Sequence, residues 1–374
     1  MLDASQLTRD LIRIPTVNPP GDERPCAEHL ARILEGAGYE CRLIPMGENR
    51  ANLIAAAIGD GSGPPLCFSG HTDVVPLGAK PWTVEPFAAD VDGDRIYGRG
   101  ATDMKGGVAA FVKAAVDLAP HLARSPGLVL VISAGEERGC EGANFMARAG
   151  VLPKAGAMIV AEPTNNQPLI GHKGVLWVEG RASGVTAHGS MAYMGDNAVY
   201  KAARAVTRLE SFKFPGNFHN AGGEPTLSVG WLRGGMNVNS VPDEARIGLD
   251  IRMVTGMDED AVMAALNETG GGEVEFVKLS SAAPVWSDPA DVWIQSVFDV
   301  AERALGARPT PTIAPYFTDA AALKPAMGHP PTLIFGPGDP ELAHQTDEWA
   351  SIARVHQAAS MFTEIAAAWC NASS

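Results

Sequence analysis

The sequence predicts an α/β protein: a mixed sheet flanked by helices, with a smaller α+β domain inserted into the chain. Two observations support this prediction. In the first and last parts of the chain, short apolar runs typical of strands buried on both faces alternate with helical patterns. Between them, residues 175–285 follow the order β-α-β-β-α-β, which is the ferredoxin-like arrangement. We therefore expect one domain formed by residues 1–174 and 286–374, and an inserted domain formed by residues 175–285.

Composition narrows the class of protein. A chain of 374 residues is long enough for two domains. Its formal net charge of −14 gives it no long-range attraction for nucleic acid or for an anionic membrane surface. No apolar run reaches the roughly 18 residues that a membrane span needs. The five cysteines are scattered, and the first residues lack the basic start and apolar core of a signal peptide. We expect a cytoplasmic protein with reduced thiols and with no nucleic-acid or membrane partner.

Helical spacing and apolar runs predict the individual elements. The first helix is expected from Ser5 to about Arg13, with Ser5 as its N-cap. Further helices are predicted over residues 23–36, 108–118, 197–209, 258–267, 293–305 and 346–368, with a short helical stretch from residue 316. Strands are predicted over residues 53–58, 66–70, 128–132, 157–160, 175–182, 226–232, 245–254, 273–279 and 331–335.

Ionisable side chains follow three of the predicted buried strands. His71 and Asp73 lie two residues apart after the first of these strands, so in extended chain they point to the same side. Glu136 and Glu137 follow the second strand, and Glu162 follows the third. Open α/β sheets bind their ligands at the carboxyl ends of the strands, which favours one shared site. Adjacent carboxylates at the end of a buried strand repel each other and resist desolvation. Either a cation compensates them or, as the alternative, they are solvated surface groups.

Two more ionisable residues stand at similar places in the sequence. Asp103 lies in a glycine-rich bend just before the apolar helix predicted at 108–118, and the glycines permit close approach of the backbone to a ligand. Asp is also a common N-cap, so the alternative is that Asp103 only caps this helix. One carboxylate oxygen can cap while the other binds a metal. His344 falls just beyond the strand predicted at 331–335.

The chain resembles a known family of dinuclear zinc enzymes along nearly its whole length. That family includes acetylornithine deacetylase, succinyl-diaminopimelate desuccinylase, aminoacylase and glutamate-releasing carboxypeptidase. The resemblance is carried, in the family's order, by the motifs SGHTDVVP, GRGATDMKGG, SAGEE, AEPT, TAHGS, NVNSVPD, DIR and LAHQTDE. It implies a zinc-peptidase-like catalytic domain and an inserted domain that forms a homodimer.

The resemblance also implies a set of metal ligands. His71, Asp103 and Glu162 would hold one divalent ion. Asp103, Glu137 and His344 would hold the other, so that Asp103 bridges the two ions. A mixture of imidazole nitrogen and carboxylate oxygen suits zinc, and cobalt or manganese would also fit. Asp73 would fix the tautomer and the direction of His71.

Further roles follow from the same resemblance. Glu136 would act as general base, and His188 of the inserted domain would donate a hydrogen bond to the oxyanion in the partner subunit's site. Asn239 and Arg252 would hold the substrate carboxylate, and Thr318 would line the substrate pocket. His188 as an ordinary loop histidine and Arg252 as an ordinary ion pair are the alternatives. We treat as structural the remaining residues His172, Lys173, His219 and His329.

The expected activity is metal-dependent hydrolysis of the amide bond of an N-acyl amino acid, of the N-acetylornithine or N-succinyl-diaminopimelate type. The alternative within the same chemistry is a dipeptidase or a carboxypeptidase. The sequence carries neither the G-x-G-x-x-G fingerprint after an early strand nor a Walker-type loop, which argues against a nucleotide-dependent enzyme. A non-catalytic relative is disfavoured because no ligand is lost and Glu136 is present. The chain departs from the family pattern at Ala192, Tyr193 and residues 316–319, which leaves the acyl group and the side chain of the substrate open.

Overall fold

The structure, a computed structural model, describes residues 2–61, 63–218 and 223–371. His219, which the sequence analysis treats as structural, lies outside these ranges. The described chain forms two compact units. The first unit comprises Met1–Gly171, Val285–Ala314 and Thr318–Ser374, and the second comprises His172–Pro284 and Pro315–Phe317. The short segment 315–317 belongs to the second unit, whereas the predicted boundaries put it in the larger domain.

Helices and strands are numbered separately in chain order. The α-helices of the described residues are α1 Ala4–Ile12, α2 Arg24–Gly36, α3 Gly106–Leu118, α4 Glu141–Arg148, α5 Ala198–Leu209, α6 Glu259–Gly270, α7 Val292–Leu305, α8 Ala320–Ala326 and α9 Ile352–Trp369. The strands are β1 Glu40–Pro45, β2 Ala51–Ala57, β3 Leu66–His71, β4 Val91–Asp92, β5 Arg95–Tyr97, β6 Leu128–Ser133, β7 Ala157–Val160, β8 Gly171–His172, β9 Gly174–Ser183, β10 Thr226–Gly234, β11 Glu244–Met253, β12 Glu275–Ala282, β13 Val285–Trp286, β14 Thr332–Ile334 and β15 Trp349–Ser351.

The first unit is built on a mixed sheet with the strand order β1-β2-β6-β3-β7-β14. Strand β3 runs parallel to both of its neighbours, β6 and β7, and β14 runs parallel to β7. Strands β1 and β2 run antiparallel at one side. The predicted mixed sheet of an α/β protein is therefore confirmed. Because β6, β3 and β7 are adjacent and parallel, their carboxyl ends lie at one edge of the sheet.

Helices cover the sheet on both faces, as expected for strands that are buried throughout. On one face, Phe68 of β3 stacks against Phe111 of α3 with ring centroids 5.9 Å apart, and Phe362 of α9 lies 5.4 Å away. On the other face, the neighbouring Cys67 contacts Met327 just after α8. Phe68, Phe111 and Phe362 are fully buried, so they join the sheet to two helices through one aromatic cluster.

The predicted N-cap of the first helix is wrong. Asp3, rather than Ser5, caps α1, since its carboxylate accepts the backbone N–H of Gln6 at 2.8 Å. Ser5 lies inside the helix and its hydroxyl donates to Asp3 at 2.6 Å. Either residue type suits an N-cap, and only the backbone shows which of them precedes the first helical turn.

The second unit has the element order β-α-β-β-α-β from β9 to β12, as predicted. Its antiparallel sheet has the strand order β10-β11-β9-β12, which is that of the ferredoxin-like fold. Helices α5 and α6 contribute Ala202 and Leu266 to the core against the sheet. Asn197 and Asp258 cap these helices, because each carboxamide or carboxylate oxygen accepts two backbone N–H groups of the first turn. Both residues stand just outside the helices that the sequence predicted to begin at them.

The aromatic cluster of the first unit gives a stability prediction. We expect the substitution Phe362→Ala to lower the free energy of unfolding by about 3–5 kcal/mol, since it leaves a cavity between β3 and α9. Urea unfolding followed by tryptophan fluorescence measures this loss. Phe145→Ala is the matched control, because Phe145 on α4 is 36% exposed and should cost clearly less. Equal losses for the two variants would show that the cluster does not hold the sheet to α9.

Candidate metal centre

The carboxyl ends of three adjacent parallel strands bring together the side chains singled out from the sequence. His71 is the last residue of β3 and lies opposite Ser133, the last residue of β6. Glu136 and Glu137 form a short helical turn three residues beyond β6. Glu162 follows β7 by two residues. The sheet therefore supplies three of the five predicted ligands, and loops supply the other two.

The first group of possible ligands consists of His71, Asp103 and Glu162. The Nε2 atom of His71 lies 3.2 Å from Oδ1 of Asp103 and 3.9 Å from Oε2 of Glu162. His71 and Glu162 are buried, with 1% and 4% of their surface exposed. Three donor atoms thus converge on one small volume at the edge of the sheet.

The second group consists of Asp103, Glu137 and His344. The Nε2 atom of His344 lies 3.3 Å from Oδ2 of Asp103 and 3.0 Å from Oε2 of Glu137. His344 adopts a left-handed backbone conformation with φ of 64°, which is uncommon for a residue other than glycine. Such local strain is concentrated at functional sites, where the surrounding structure holds the residue in place.

Asp103 belongs to both groups, with one oxygen facing each imidazole. It lies in the irregular turn Ala101–Lys105 that precedes α3. Glycine is required where α3 begins, because a Cβ on Gly107 would lie 2.2 Å from the carbonyl oxygen of Ala161 beyond β7. The capping alternative for Asp103 is wrong: α3 begins at Gly106, and its N-cap Lys105 makes no side-chain cap. Both carboxylate oxygens of Asp103 are therefore directed to the cluster.

The charges of this cluster do not balance without a cation. Burial raises the pKa of Glu162, and the neighbouring Asp103 carboxylate adds to the effect. Burial and Asp103 likewise raise the pKa of Glu137. Hydrogen bonds with Asp103 and Glu137 raise the pKa of His344 to about 10. These three pKa shifts have one cause: the charged carboxylates are unfavourable together unless positive charge lies at the two imidazole nitrogens.

The arrangement of donors fits divalent metal ions. The Nδ1 atom of His71 lies 3.0 Å from the backbone oxygen of Asp73, to which it donates a hydrogen bond. In a neutral imidazole the lone pair on Nε2 then faces the carboxylates, and only a cation makes that contact favourable. Zinc bound at 2.0–2.1 Å by two atoms of a tetrahedron separates them by about 3.3 Å. The distances from Asp103 to the two imidazoles, 3.2 and 3.3 Å, match this separation.

Asp73 supports the site from beneath. Its carboxylate is fully buried, and accepts hydrogen bonds from the Asn18 amide at 3.0 Å and from the backbone N–H groups of Glu136 and Glu137 at 3.0 and 3.2 Å. Burial raises the pKa of Asp73, yet His71 and these donors outweigh burial and leave the pKa below its ordinary value. Asp73 therefore orients the turn that bears Glu136 and Glu137 in addition to His71. The sequence indicated only its role toward His71.

Glu136 and Glu137 face different ways, as adjacent residues on a tight turn must. The carboxylate of Glu137 belongs to the second ligand group. The carboxylate of Glu136 lies in neither ligand group, and the thiol of Cys140 donates to its Oε1 atom across 3.8 Å. Burial raises the pKa of Glu136 well above its ordinary value. The pair thus offers one carboxylate for a metal and one that is free to exchange a proton.

Sequence reasoning missed the residues that hold the Asp103 loop. Glu348 is buried, and its carboxylate accepts the backbone N–H groups of Gly100, Thr102 and Asp103 at 2.8–3.1 Å. It also forms an ion pair of 2.7 Å with the buried Arg99. Both residues occur in the quoted motifs GRGATDMKGG and LAHQTDE, but nothing local in either motif points to the other. Only the fold brings them together.

His188 and Asn239, which have predicted roles toward the substrate, lie on paired segments of the second unit. The segment around His188 pairs with Ser240, and the backbone N–H of Gly189 donates to the oxygen of Asn239 at 2.7 Å. His188 is exposed, and its Nδ1 accepts the backbone N–H of Ser190 at 3.2 Å. In the neutral ring the proton is therefore on Nε2, which is free to donate.

The other two predicted substrate contacts have partners of their own. Arg252 donates through Nε and Nη2 to both carboxylate oxygens of Asp250, at 2.8 and 3.0 Å. Thr318 is fully buried, and its hydroxyl accepts the backbone N–H of Ala320 at the start of α8. The ion pair leaves Nη1 of Arg252 for another acceptor, whereas the hydroxyl of Thr318 is already used by its helix.

The sequence and the fold are similar to those of known proteins. The model of the peptidase family M20/M25/M40 matches residues 67–368. A protein of Staphylococcus aureus strain Mu50, named "Probable succinyl-diaminopimelate desuccinylase", is 30% identical, with 96% of this chain and 97% of that protein covered. The fold resembles an M20 family metallo-carboxypeptidase of Sulfolobus solfataricus, with a TM-score of 0.80 at 19% identity over 98% of this chain and 99% of the other.

A third similar protein, from Bacillus subtilis, is described as a dinuclear metal binding peptidase of the M20 family. Its TM-score is 0.72 at 18% identity, over 99% of this chain and 98% of the other. Taken with the fold and the ligand groups, these matches define a metallohydrolase that acts on amide bonds. The chain belongs to the peptidase family M20/M25/M40.

The buried ion pair beneath the Asp103 loop gives the second prediction. We expect Glu348→Ala to destabilise the protein by about 3–5 kcal/mol, because it leaves the Arg99 guanidinium buried without its partner. Thermal unfolding measures this effect. The control is Glu364→Ala, which breaks an exposed pair with Arg303 and should cost less than about 1 kcal/mol. If Glu348→Ala unfolds like the control, Glu348 does not anchor the loop.

Proposed function

We propose that this protein hydrolyses the amide bond of an N-acyl amino acid and that two divalent metal ions, zinc in the first place, serve the reaction. His71, Asp103 and Glu162 would hold one ion, and Asp103, Glu137 and His344 the other. The observation that carries the proposal is the position of Asp103, whose two oxygens face two different imidazoles. A single carboxylate placed in this way suits a bridge between two ions.

The ions, when bound, would polarise the scissile carbonyl and lower the pKa of the attacking water. Cobalt or manganese would suit the same nitrogen and oxygen donors. The protein's own contribution is to keep the donors fixed. His71 is oriented through the backbone oxygen of Asp73, and Asp103 through the backbone contacts of Glu348.

Glu136 is the proposed general base. Its buried carboxylate belongs to neither ligand group, so it is free to take a proton from the attacking water and to pass it to the leaving amine. Burial raises its pKa above the ordinary value, which makes the carboxylate a stronger proton acceptor.

His188 is the proposed donor to the oxyanion. Ser190 fixes the neutral ring with its proton on Nε2, and the exposed position leaves that proton available. A donor aimed at charge that develops in the transition state contributes several kcal/mol, about 3–4 in measured cases.

Arg252 and Asn239 are the proposed contacts for the substrate carboxylate. Asp250 accepts hydrogen bonds from Nε and Nη2 of Arg252, which fixes the orientation of the guanidinium. The Nη1 group is left to donate to a substrate carboxylate. Asn239 is exposed and next to the His188 segment. Thr318 stays a prediction without such support, since its buried hydroxyl accepts the backbone N–H of Ala320.

The relative named as a succinyl-diaminopimelate desuccinylase supports an N-succinyl or similar N-acyl amino acid as the substrate. The second candidate is a carboxypeptidase or dipeptidase, which the metallo-carboxypeptidase of similar fold favours. Both reactions break a linear amide next to a carboxylate, and the same groups would serve either one.

The third prediction tests the activity itself. The zinc-loaded protein is assayed against N-succinyl and N-acetyl amino acids, with N-succinyl-diaminopimelate and N-acetylornithine included, and against dipeptides. We expect turnover of an N-acyl amino acid, loss of that turnover on chelation, and recovery when zinc is returned. Glu136→Gln should lower kcat by about 10²- to 10⁴-fold, the usual contribution of a general base.

Metal content by mass spectrometry is the control for this variant, which should still bind two ions per chain. The variant Glu141→Gln, on the next helix, should keep its activity. Turnover that survives chelation would contradict the metal mechanism, and full activity of Glu136→Gln would show that another group is the base. Cleavage of dipeptides alone would favour the second candidate function.

We further propose that the second unit forms a homodimer through β10. This strand lies at an edge of its sheet, where unpaired N–H and C=O groups can pair with the same strand of a second copy. Large apolar side chains are exposed on this strand and the loop after it, on the turn 189–194 and on α5: Leu232, Met236, Val238, Tyr193, Met194 and Tyr200. The other edge strand, β12, instead carries the exposed ion pair between Lys278 and Glu259.

The fourth prediction concerns the subunit that supplies His188. Proteins carrying His188→Ala and Glu136→Gln are each expected to be almost inactive. If His188 acts in the partner's site, mixed dimers contain one site with both groups intact, so activity should rise toward about a quarter to a half of wild type. Light scattering and native mass spectrometry of differently tagged chains verify that mixed dimers form. Mixed dimers without any recovered activity would place His188 in its own subunit's site.

A further inference from the structure

A buried cluster of three side chains around Glu136 contains two groups that have no role in the proposed reaction. It is formed by Glu136, Cys140 and Asp319, which lie within 4.8 Å of one another through one side-chain atom each. Their exposed fractions are 7%, 1% and 1%. Neither Cys140 nor Asp319 belongs to the two ligand groups at the edge of the sheet. A thiol and a second carboxyl group therefore lie beside the proposed base without a role in metal binding.

The thiol is placed by the backbone. Cys140 adopts a left-handed conformation with φ of 58°, immediately before α4. Its backbone N–H donates to the oxygen of Glu136 at 2.9 Å, which closes a turn. This turn directs the thiol back onto the carboxylate of Glu136, at 3.8 Å from Oε1. A conformation that few residues other than glycine adopt is kept here for a cysteine, which points to a function for the side chain.

Asp319 is the third member of the cluster. One of its carboxylate oxygens accepts a hydrogen bond from the hydroxyl of Ser133, the last residue of β6. Its other oxygen, Oδ1, is buried and has no hydrogen-bond partner among the described residues. Asp319 is thus anchored to the sheet on one side and directed toward Glu136 and Cys140 on the other.

We propose that Cys140 is a positioning residue for Glu136: its thiol donates to Oε1 and holds the carboxylate out of reach of Asp319, at the side of the metal centre. The proposal rests on the proposed role of Glu136 as base. Two carboxyl groups so close together repel each other when charged, and this repulsion would otherwise move Glu136 among several rotamers. A hydrogen bond from the thiol selects one of them.

The thiol acts as a neutral donor in this arrangement. Burial raises the pKa of Cys140 well above its ordinary value, and the carboxylates of Asp319 and Glu136 add to the effect, so the sulfur keeps its proton. Burial raises the pKa of Asp319 to about 6, against the lowering effect of the Ser133 hydroxyl and of His71.

The fifth prediction compares Cys140→Ala with Cys140→Ser. Both variants bear the same left-handed backbone, so their difference isolates the hydrogen bond. We expect Cys140→Ala to lower kcat about tenfold with KM within about threefold, and Cys140→Ser to stay within about threefold of wild type. Both should bind two metal ions per chain. The matched control is Cys370→Ala, because Cys370 is also buried but contacts Gly127 near the opposite ends of the strands.

A double-mutant cycle shows whether Cys140 acts through Glu136. If it does, adding Cys140→Ala to Glu136→Gln causes no further loss of kcat. Losses that multiply, or equal losses in the Ala and Ser variants that follow the melting temperature, would show a merely structural role and overturn the proposal. So would a third zinc ion that binds wild type and not Cys140→Ala, since the thiol would then be a metal ligand.

Crystal structures of the zinc-loaded variants provide a readout that does not depend on any substrate. The Glu136 carboxylate should leave its wild-type rotamer in Cys140→Ala and keep it in Cys140→Ser. An unchanged rotamer in both variants would overturn the inference about Cys140, whatever the activity. If instead the rotamer moves as expected but Glu136→Gln is fully active, the proposed role of Glu136 fails and the contact with Cys140 stands.

Discussion

Repulsion between carboxylates at one edge of the sheet is the constraint on which this structure depends. Asp103, Glu137 and Glu162 converge there, and two imidazoles are the only other side chains in the described ligand groups. Partly buried carboxylates at such distances raise one another's pKa unless positive charge lies between them. The fold tolerates this cost because it places the imidazole nitrogens of His71 and His344 where cations can be shared with the carboxylates. The same arrangement that is unfavourable for an empty site is favourable for one that holds two divalent ions.

The proposed ligands are held in place by residues that are not themselves proposed ligands. Asp73 accepts the backbone N–H groups of the turn that bears Glu136 and Glu137, and Glu348 accepts those of the Asp103 loop. Both carboxylates are buried, and each accepts hydrogen bonds from backbone and side-chain donors of the protein. This division of roles lets the carboxylates nearest the imidazoles remain available, because other carboxylates fix the backbone beneath them.

The second unit contains other residues of the proposed function and an exposed edge strand. In that unit, the segment of His188 pairs with the segment of Ser240, and the backbone of Gly189 donates to the backbone oxygen of Asn239. The edge strand β10 and the apolar side chains around it are exposed in the single chain. Among the residues that the structure describes, no helix is both long and apolar enough to cross a bilayer. The proposed function assigns the exposed apolar surface to a second copy of the same chain.

Local sequence patterns were sufficient to predict the α/β class, the ferredoxin-like order of the second unit and the strand ends at which ionisable residues collect. Each of these depends on local pattern: apolar runs, period-two and period-3.6 spacing, and residues that follow directly on a strand. The edge strand β1 was missed because its residues are half exposed and include Arg42 and Pro45, so no apolar run marks it. The N-cap of α1 was misplaced because Asp3 and Ser5 both suit a cap.

The folded chain alone shows which distant residues meet. It placed Arg99 against Glu348 across 249 positions, Ser133 against Asp319 across 186, and the thiol of Cys140 against Glu136. It also showed that Asp103 turns both oxygens to the imidazoles instead of capping α3. No local propensity encodes such contacts, because buried charged groups find their partners through the packing of whole strands and helices and not through neighbours in the chain.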